Sequence, residues 1–419
     1  MQAGERRKTT NPLFNLRMIS SLESPPFRLY FFGTLGQMAA MVVGQVTGPL
    51  LMYRLSGSAV LLGTMSLLSA VPLIFLSLFG GVIADRIPKK QIILVSYLCF
   101  AAVSLGVGLA LHTGWLARER DGSYWILLSA SFVQGGIMGL LMPSLQAMVP
   151  EIVKKEYLMN ASALSMMGMN ILTFVIPIIT GVVIDRYNFQ TIYYGMAGLY
   201  LYAAVFILFA PRVRGVPKRG VNVLVEIGNG FQYIRRSPVL WAVLAYSTVV
   251  VALSMPFQQL LPIFTTNILK VDATGLGLLM SVSGLADFIG SVVLTALPNR
   301  KRGLMLVASG LLSGLALSGF AFSTQIGLSL GLMVLVGLGV TFRGTISSAL
   351  LQSYSTPIYM GRVMSLFNIQ WGLMALGTFG AGLMVKMVGV QWVVGGMALV
   401  LSAISLLTLS VTAALKKLE

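Results

Sequence analysis

Residues 60–91 read VLLGTMSLLSAVPLIFLSLFGGVIADRIPKKQ, a long apolar run that ends in a short, strongly charged segment. A helix needs about 20 mostly apolar residues to cross the hydrocarbon core of a bilayer, and the run 60–83 supplies them. The charged segment that follows is then expected at the membrane surface. The same alternation of apolar runs and polar interruptions continues along the chain in both directions.

Twelve such runs are long enough to cross a bilayer. The predicted spans are 29–53, 60–83, 92–113, 124–149, 159–184, 191–211, 239–268, 275–298, 303–323, 326–352, 363–388 and 391–413. These runs do not alternate polar and apolar residues with period two, which argues against a transmembrane β-barrel. The sequence therefore predicts an all-α integral membrane protein with no room for a soluble domain.

The composition agrees with this fold class. Hydrophobic residues make up 56% of the 419 residues and charged residues only 10%, whereas a soluble domain carries about 25% charged residues. One cysteine and one histidine, Cys99 and His112, exclude a disulfide framework and a Cys/His zinc site. We therefore expect no metal, no cofactor and no enzymatic activity. There is also no phosphate-binding motif for ATP.

The longest polar interruption divides the spans into two groups of six. The predicted organisation is a cytoplasmic tail 1–28, a six-helix bundle 29–211, a cytoplasmic linker 212–238, a second six-helix bundle 239–413 and a short tail 414–419. Within the linker, apolar residues fall at helical spacing, which predicts a short amphipathic helix on the membrane surface; they are Leu224, Ile227, Phe231 and Ile234. For the first ten residues of the linker, a flexible connection is an equal alternative.

The basic residues predict the orientation. If the amino terminus lies inside, 22 of the 29 Lys and Arg fall on the inner side, 6 fall outside and Arg343 lies within a span. This bias follows the positive-inside rule and places both termini in the cytoplasm. The net charge of +17 thus reflects membrane orientation and contact with anionic lipid, and we expect no nucleic-acid partner.

The charged segment after the second span carries a recognisable motif, Gly81-Val-Ile-Ala-Asp85-Arg86-Ile-Pro-Lys89-Lys90. A weaker copy, TALPNRKRG at 295–303, follows the eighth span, with Asn299 in the position of the acid. The chain resembles the major facilitator superfamily, whose loop motif reads G-x-x-x-D-R-x-G-R-R/K between spans 2 and 3. Together with twelve spans in two pseudo-symmetric bundles, the resemblance covers essentially the whole chain.

Within this superfamily, the segments YRLSGSAVLLG and GRVMSL are similar to those of the branch that exports drugs and siderophores. The resemblance implies export of amphipathic small molecules, such as drugs, macrolides or siderophores, by alternating access across a bacterial-type cytoplasmic membrane. Lipid transport, or import of a solute by the same fold, remains an alternative. We expect a monomer.

The resemblance also implies roles for the motif residues. Asp85 would hold the two bundles together at the cytoplasmic side, and Arg86, Lys89 and Lys90 would contact anionic lipid or only set the topology. Pro88 replaces the second glycine of the motif, so the usual turn must change, because proline cannot adopt positive φ. With Asn299 in the second copy, the predicted gate is asymmetric.

Coupling to protons stays open at this point. Span 4 lacks the arginine of the family's proton-relay signature, and the exporter signature of span 5 survives only as IPIITG at 176–181. Two ionisable residues nevertheless fall well within spans, Asp287 and Arg343, and such residues are costly in a membrane. Asp287 could carry a coupling proton, and Arg343 could bind an anionic substrate. Alternatively, the two form a structural ion pair, or Arg343 reaches toward the membrane surface.

Polar residues and methionines at helical spacing mark candidate walls of a central cavity. The 24 methionines suit a pocket that adapts to varied apolar ligands. Packing between helices is an equal alternative for any one of these side chains. The candidates are Gln37, Gln45, Gln134, Met138, Asn170, Gln258, Gln259, Asn368 and Trp371.

Overall fold

The structure is a computed structural model, and it describes residues 20–120, 122–211, 223–296 and 301–411. Over these residues the chain is helical, with twelve helices or helix groups long and apolar enough to cross a membrane. The prediction of an all-α protein with twelve spans is therefore confirmed. Both predicted tails lie mostly outside the described residues, as do the first part of the linker and the segment that contains Asn299.

The first six spans form one bundle. Their helices are Pro25–Ser56, Ala59–Arg86, Lys89–His112, Trp125–Ile152, Leu158–Arg186 and Phe189–Phe209. A further helix, Val223–Arg236, occupies the part of the linker where the apolar spacing predicts one. In the second bundle, spans 8, 9, 10 and 12 are the helices Ala273–Ala296, Arg302–Phe322, Ile326–Ser353 and Val390–Val411.

Spans 7 and 11 are interrupted, which the hydropathy pattern does not reveal. Span 7 consists of Pro238–Ser254, Pro256–Ile263 and a terminal π-helical turn, Phe264–Ile268. Pro256 begins the second piece, since a residue without an N–H is best placed in a first helical turn. Span 11 consists of Pro357–Asn368 and Gln370–Val388.

Short turns separate most of the spans. Gly57 ends span 1 with a φ of 63°, a left-handed conformation that glycine adopts without strain. Asn188 begins span 6 by accepting a hydrogen bond from the Thr191 N–H at 2.9 Å. We call the end of the molecule that carries the turn at residues 57–58 the turn end, and the opposite end, where span 1 begins, the tail end.

Small residues bring the spans close together. In the first bundle, span 2 packs against span 4 and span 3 packs against span 6; in the second, span 9 contacts spans 10 and 12. A side chain at Gly135 would collide with the Ser69 carbonyl, and one at Gly314 with the Ser402 hydroxyl. Such approaches are the usual way in which membrane helices pack. Large apolar side chains such as Phe75 and Leu407 remain exposed on the outer surface, as expected where lipid is the solvent.

Candidate functional site

The two bundles meet along two seams, formed by span 5 with span 8 and by span 2 with span 11. In the first seam, a Cβ at Gly181 would lie 2.3 Å from the Ala273 carbonyl oxygen, and one at Gly277 would lie 2.3 Å from the Pro177 carbonyl oxygen. In the second seam, a Cβ at Gly382 would lie 2.6 Å from the Ala59 carbonyl oxygen. Only glycine allows backbones to approach so closely.

These contacts are not spread evenly along the seams. Of the described glycines, those that touch the opposite bundle all lie between the middle of their spans and the turn end; they are Gly63, Gly181, Gly277, Gly284, Gly372 and Gly382. The tail-end halves contribute no such approach within the described residues. Among the described residues, the closest backbone contacts between the bundles therefore lie toward the turn end.

Polar contacts cross between the bundles in the same half. Asp185, at the end of span 5, accepts hydrogen bonds from the backbone N–H groups of Ala273 and Thr274, at 3.2 and 2.7 Å. It also accepts one from the Thr274 hydroxyl at 2.7 Å. Asn267 donates to the Tyr53 hydroxyl at 2.7 Å. Together these bonds connect spans 1 and 5 of the first bundle to spans 7 and 8 of the second.

A cavity of about 540 Å³ opens at the turn end between the two bundles. Tyr53 and Asn267 line it, as do Lys386 and Trp392 of the second bundle. None of the nine predicted cavity residues contributes to it. Within the described part of the chain, no group of three His, Cys, Asp or Glu side chains is arranged to hold a metal ion.

The nine predicted cavity residues differ in exposure. Gln45, Gln258, Asn368 and Trp371 are exposed, whereas Gln134, Met138, Asn170 and Gln259 are partly buried. Their role in a cavity stays a prediction. Gln37 is a correction: it is only 1% exposed, and its Oε1 has no hydrogen-bond partner. It lies on the face of span 1 on which Gly33 and Gly44 pack against span 6, so it does not face an open cavity.

Asp287 in span 8 is partly buried, and its Oδ1 accepts a hydrogen bond from the Thr341 hydroxyl of span 10 at 2.8 Å. No lysine or arginine nitrogen of the described residues lies within 4.0 Å of its carboxylate. The partner of Asp287 is therefore a neutral group, and the alternative of an ion pair between Asp287 and Arg343 is wrong.

Arg343 is buried within the second bundle, between spans 7 and 11. Its guanidinium donates to the Ser247 hydroxyl at 2.9 Å and approaches the Gln370 Oε1 at 3.5 Å, while its Nε has no partner. Thr341, which contacts Asp287, and Arg343 are two positions apart on span 10, so their side chains point in nearly opposite directions. Arg343 therefore does not face Asp287. Arg343 is also too buried to reach the membrane surface.

The loop motif begins in the last turn of span 2, which ends at Arg86. The side chains of Gly81, Asp85 and Arg86 lie outside the described part of the structure, so the gate role of Asp85 stays a prediction. Lys89 and Lys90 are described, and both have protein partners. Lys89 is buried and pairs with Glu151 at the end of span 4.

Lys90 donates to the Leu208 carbonyl oxygen at 2.7 Å and also to the carbonyl of Ala210. These carbonyls end span 6 and lack intrahelical partners, so a lysine there satisfies them and complements the helix dipole. Lys89 and Lys90 thus contact protein groups within the first bundle, and their contact with lipid headgroups stays a prediction.

Asp185, Ser247 and Gln370 are not among the site residues that the sequence predicts, and neither is the pair Tyr53 and Asn267. A signal for Asp185 was nevertheless present. The hexapeptide GVVIDR at 181–186 repeats GVIADR at 81–86 with the glycine, the aspartate and the arginine in register. The polar contacts of Arg343 have no comparable local signal, since Ser247 and Gln370 come from distant spans.

Twelve spans in two bundles, joined by a linker and meeting along two seams, define a membrane-transport fold. The sequence profile of the Major Facilitator Superfamily matches residues 29–378. The chain belongs to this superfamily, whose members are secondary transporters and not enzymes.

Relatives and solved structures agree with this assignment. The chain is 23% identical over 370 residues to macrolide efflux protein A of Streptococcus pyogenes. The aligned region covers 85% of this chain and 89% of that protein. It is 24% identical over 361 residues to the enterobactin exporter EntS of Shigella boydii, covering 85% and 84%.

The fold is similar to that of a peptide transporter of the POT family, with a TM-score of 0.73, 14% identity and coverage of 94% and 95%. It is also similar to that of the nucleoside transporter NupG, with a TM-score of 0.70, 12% identity and coverage of 91% and 99%. At these identities the likeness concerns the fold alone.

Proposed function

We propose that this transporter exports amphipathic small molecules, of the drug, macrolide or siderophore type, by alternating access. The observation that carries the proposal is that, among the described residues, the close glycine contacts between the bundles lie in the half of the molecule at the turn end. Two rigid bundles that are joined at one end and meet along glycine seams can rock about the seams, which exposes a central site to each side in turn.

The direction of transport is inferred from the relatives, because macrolide efflux protein A and the enterobactin exporter are both efflux proteins by name. The surplus of basic residues at the tail end supports the orientation with both termini in the cytoplasm. In that orientation, the described contacts close the transporter toward the outside, and substrate enters from the cytoplasm or the inner leaflet.

We further propose that export is driven by proton antiport through Asp287. The Thr341 hydroxyl is its hydrogen-bond partner, and a hydroxyl can donate to a carboxylate or accept from a protonated carboxyl. The hydrogen bond between Thr341 and Asp287 can thus form whether the carboxyl group of Asp287 is ionised or protonated. Thr341 belongs to span 10, so a change in the packing of spans 8 and 10 would alter this environment during the transport cycle.

The test uses everted membrane vesicles with an imposed pH gradient, acidic inside. We expect a macrolide, a catecholate siderophore or a fluorescent amphiphilic cation to collapse the gradient in vesicles that contain the wild-type protein. Asp287→Asn should abolish this collapse. Glu156→Gln is the matched control, because Glu156 is an exposed carboxylate outside the spans, and it should behave as wild type.

A second assay separates coupling from folding. Counterflow of labelled substrate against unlabelled substrate needs binding and rocking but no net proton movement, so Asp287→Asn should retain it. If Asp287→Asn retained gradient-driven transport, antiport through Asp287 would be refuted. Accumulation of substrate by intact cells, rather than its removal, would contradict export and favour solute uptake; transport of a fluorescent phospholipid would favour a lipid substrate.

A further inference from the structure

Asp185 makes several polar contacts with the opposite bundle. Its carboxylate accepts three hydrogen bonds from the first two residues of span 8, two from backbone N–H groups and one from the Thr274 hydroxyl. Arg54 of span 1 lies 4.0 Å away and holds the carboxylate from its own bundle.

The chemistry of this contact is that of an anion at a helix amino terminus. The N–H groups of the first turn have no intrahelical acceptor, and the helix dipole favours a negative charge there. Hydrogen bonds from N–H groups to a carboxylate are about twice as strong as neutral ones. Asp185 thus supplies to span 8 the cap that a residue of its own bundle would normally supply.

Near Asp185, the backbone of span 5 lies close to the backbone of span 8. Gly181 lies one helical turn before Asp185, and its Cα faces the Ala273 carbonyl so closely that no side chain would fit. One turn further, the Ile178 N–H donates to the Ser281 hydroxyl at 3.1 Å. Span 5 is therefore pressed against span 8 from Ile178 to Asp185, and the carboxylate lies at the end of this contact.

The same pattern, a glycine followed four residues later by Asp-Arg, occurs at the opposite end of the first bundle. Gly81 and Asp85 of span 2 have the spacing of Gly181 and Asp185 of span 5. Because spans 2 and 5 are an odd number of spans apart, they run in opposite directions. The two aspartates therefore belong to opposite ends of the molecule.

The corresponding positions of the second bundle carry no acid. Gly382 of span 11 faces the Ala59 carbonyl at the start of span 2, as Gly181 faces that of Ala273, but Lys386 follows one turn later. A cation at a helix amino terminus is unfavourable. The acids in these four related positions thus belong to the first bundle alone, one for each end of the transporter.

We propose that Asp185 is the positioning residue that closes the turn end during transport. The proposal rests on the alternating-access function proposed above. In the described state Asp185 caps span 8. Rocking to the opposite state breaks this cap and opens the turn end.

Two single-thiol reporters test this proposal in a Cys99→Ala background. Ser281→Cys places a thiol in the seam toward the turn end, where residue 281 is buried. Asn368→Cys places one in the tail-end half, where residue 368 is exposed. Each protein is labelled with a small membrane-impermeant maleimide in detergent, with and without Asp185→Ala. We expect labelling of the Ser281→Cys thiol to become about tenfold faster and labelling of the Asn368→Cys thiol to become slower.

Matched variants define the role of the carboxylate. Glu119→Ala removes an exposed acid of the turn end, in the loop between spans 3 and 4, and should change neither rate. Thr274→Ala removes one of three donors and should have a smaller effect than Asp185→Ala. Unchanged labelling in Asp185→Ala would overturn the proposal. So would faster labelling at both positions, in Asp185→Ala and in the isosteric Asp185→Asn alike, because this would indicate general loosening.

The labelling assay needs no substrate, so the two proposals fail separately. Transport by the wild type together with unchanged labelling in Asp185→Ala would refute the closure role alone. Opposite changes at the two reporters, without transport of any amphiphile, would refute the substrate class alone.

Discussion

At the scale of single residues, Arg343 combines a charge, deep burial and neutral partners. Removing one partner of a buried ion pair usually destabilises a protein, but here the described residues include no carboxylate to be left unpaired. Ser247 and Gln370 also bond to each other at 3.3 Å, and Gln370 donates to Thr248 at 3.3 Å. These groups would stay satisfied without the arginine.

We therefore expect Arg343→Met to leave the stability unchanged or to raise it, because the Nε without a partner costs about 1–3 kcal/mol in the wild type. The measurement is the thermal unfolding midpoint of the purified protein in detergent. Gln370→Leu is the comparison, since it leaves the guanidinium with Ser247 alone and should lower the midpoint. A clear drop in Arg343→Met would show that the arginine is retained for stability and not for binding an anion.

At the scale of helices, the seams depend on glycine rather than on large interlocking side chains. Gly277 and Gly181 allow spans 5 and 8 to approach at the turn end, and the carbonyl oxygen of Pro177 faces Gly277. Here the partly preserved exporter signature IPIITG has a structural meaning. Its proline and last glycine both belong to the contact between the bundles.

A methyl group at Gly277 should hold this seam apart. We expect Gly277→Ala to cost about 1–3 kcal/mol in the state closed at the turn end and to increase labelling of the Ser281→Cys thiol. Gly198→Ala is the control, because Gly198 has no atom near its missing Cβ and alanine favours a helix. Equal labelling in the two variants would contradict the role assigned to this glycine.

The candidate site was only partly predictable from the sequence. Charged and polar residues within the predicted spans could be identified from the sequence, because such residues are rare in a membrane and their neighbours are apolar. The sequence did not reveal their partners. Asp287 and Arg343, 56 positions apart in the sequence, looked complementary, yet spans 8 and 10 pack so that the aspartate meets Thr341 and the arginine faces Ser247.

At the scale of the whole molecule, the distribution of charge predicts the orientation. We expect a thiol introduced by Ser58→Cys, in a Cys99→Ala background, to be labelled by an impermeant maleimide in intact cells. A thiol introduced by Ser237→Cys should be labelled in everted vesicles and not in intact cells. The reverse pattern would place the turn end in the cytoplasm and would reverse the proposed direction of closure.

The sequence by itself determined the number of spans, the helical class, the division into two bundles and the family. These features follow from the length of apolar runs and the positions of charges, because the bilayer imposes a fixed thickness and a fixed charge asymmetry on any chain that crosses it. They are properties of segments, and a segment can be recognised without knowledge of its neighbours.

Only the tertiary structure showed which described glycines form the seams, that Lys89 and Lys90 contact groups of the first bundle, and that Asp185 caps a helix of the other bundle. In lipid, helix association is governed by local shape and by individual hydrogen bonds rather than by hydrophobicity. Pairings between distant spans therefore leave little trace in apolar periodicity, and they become visible only when the helices are packed.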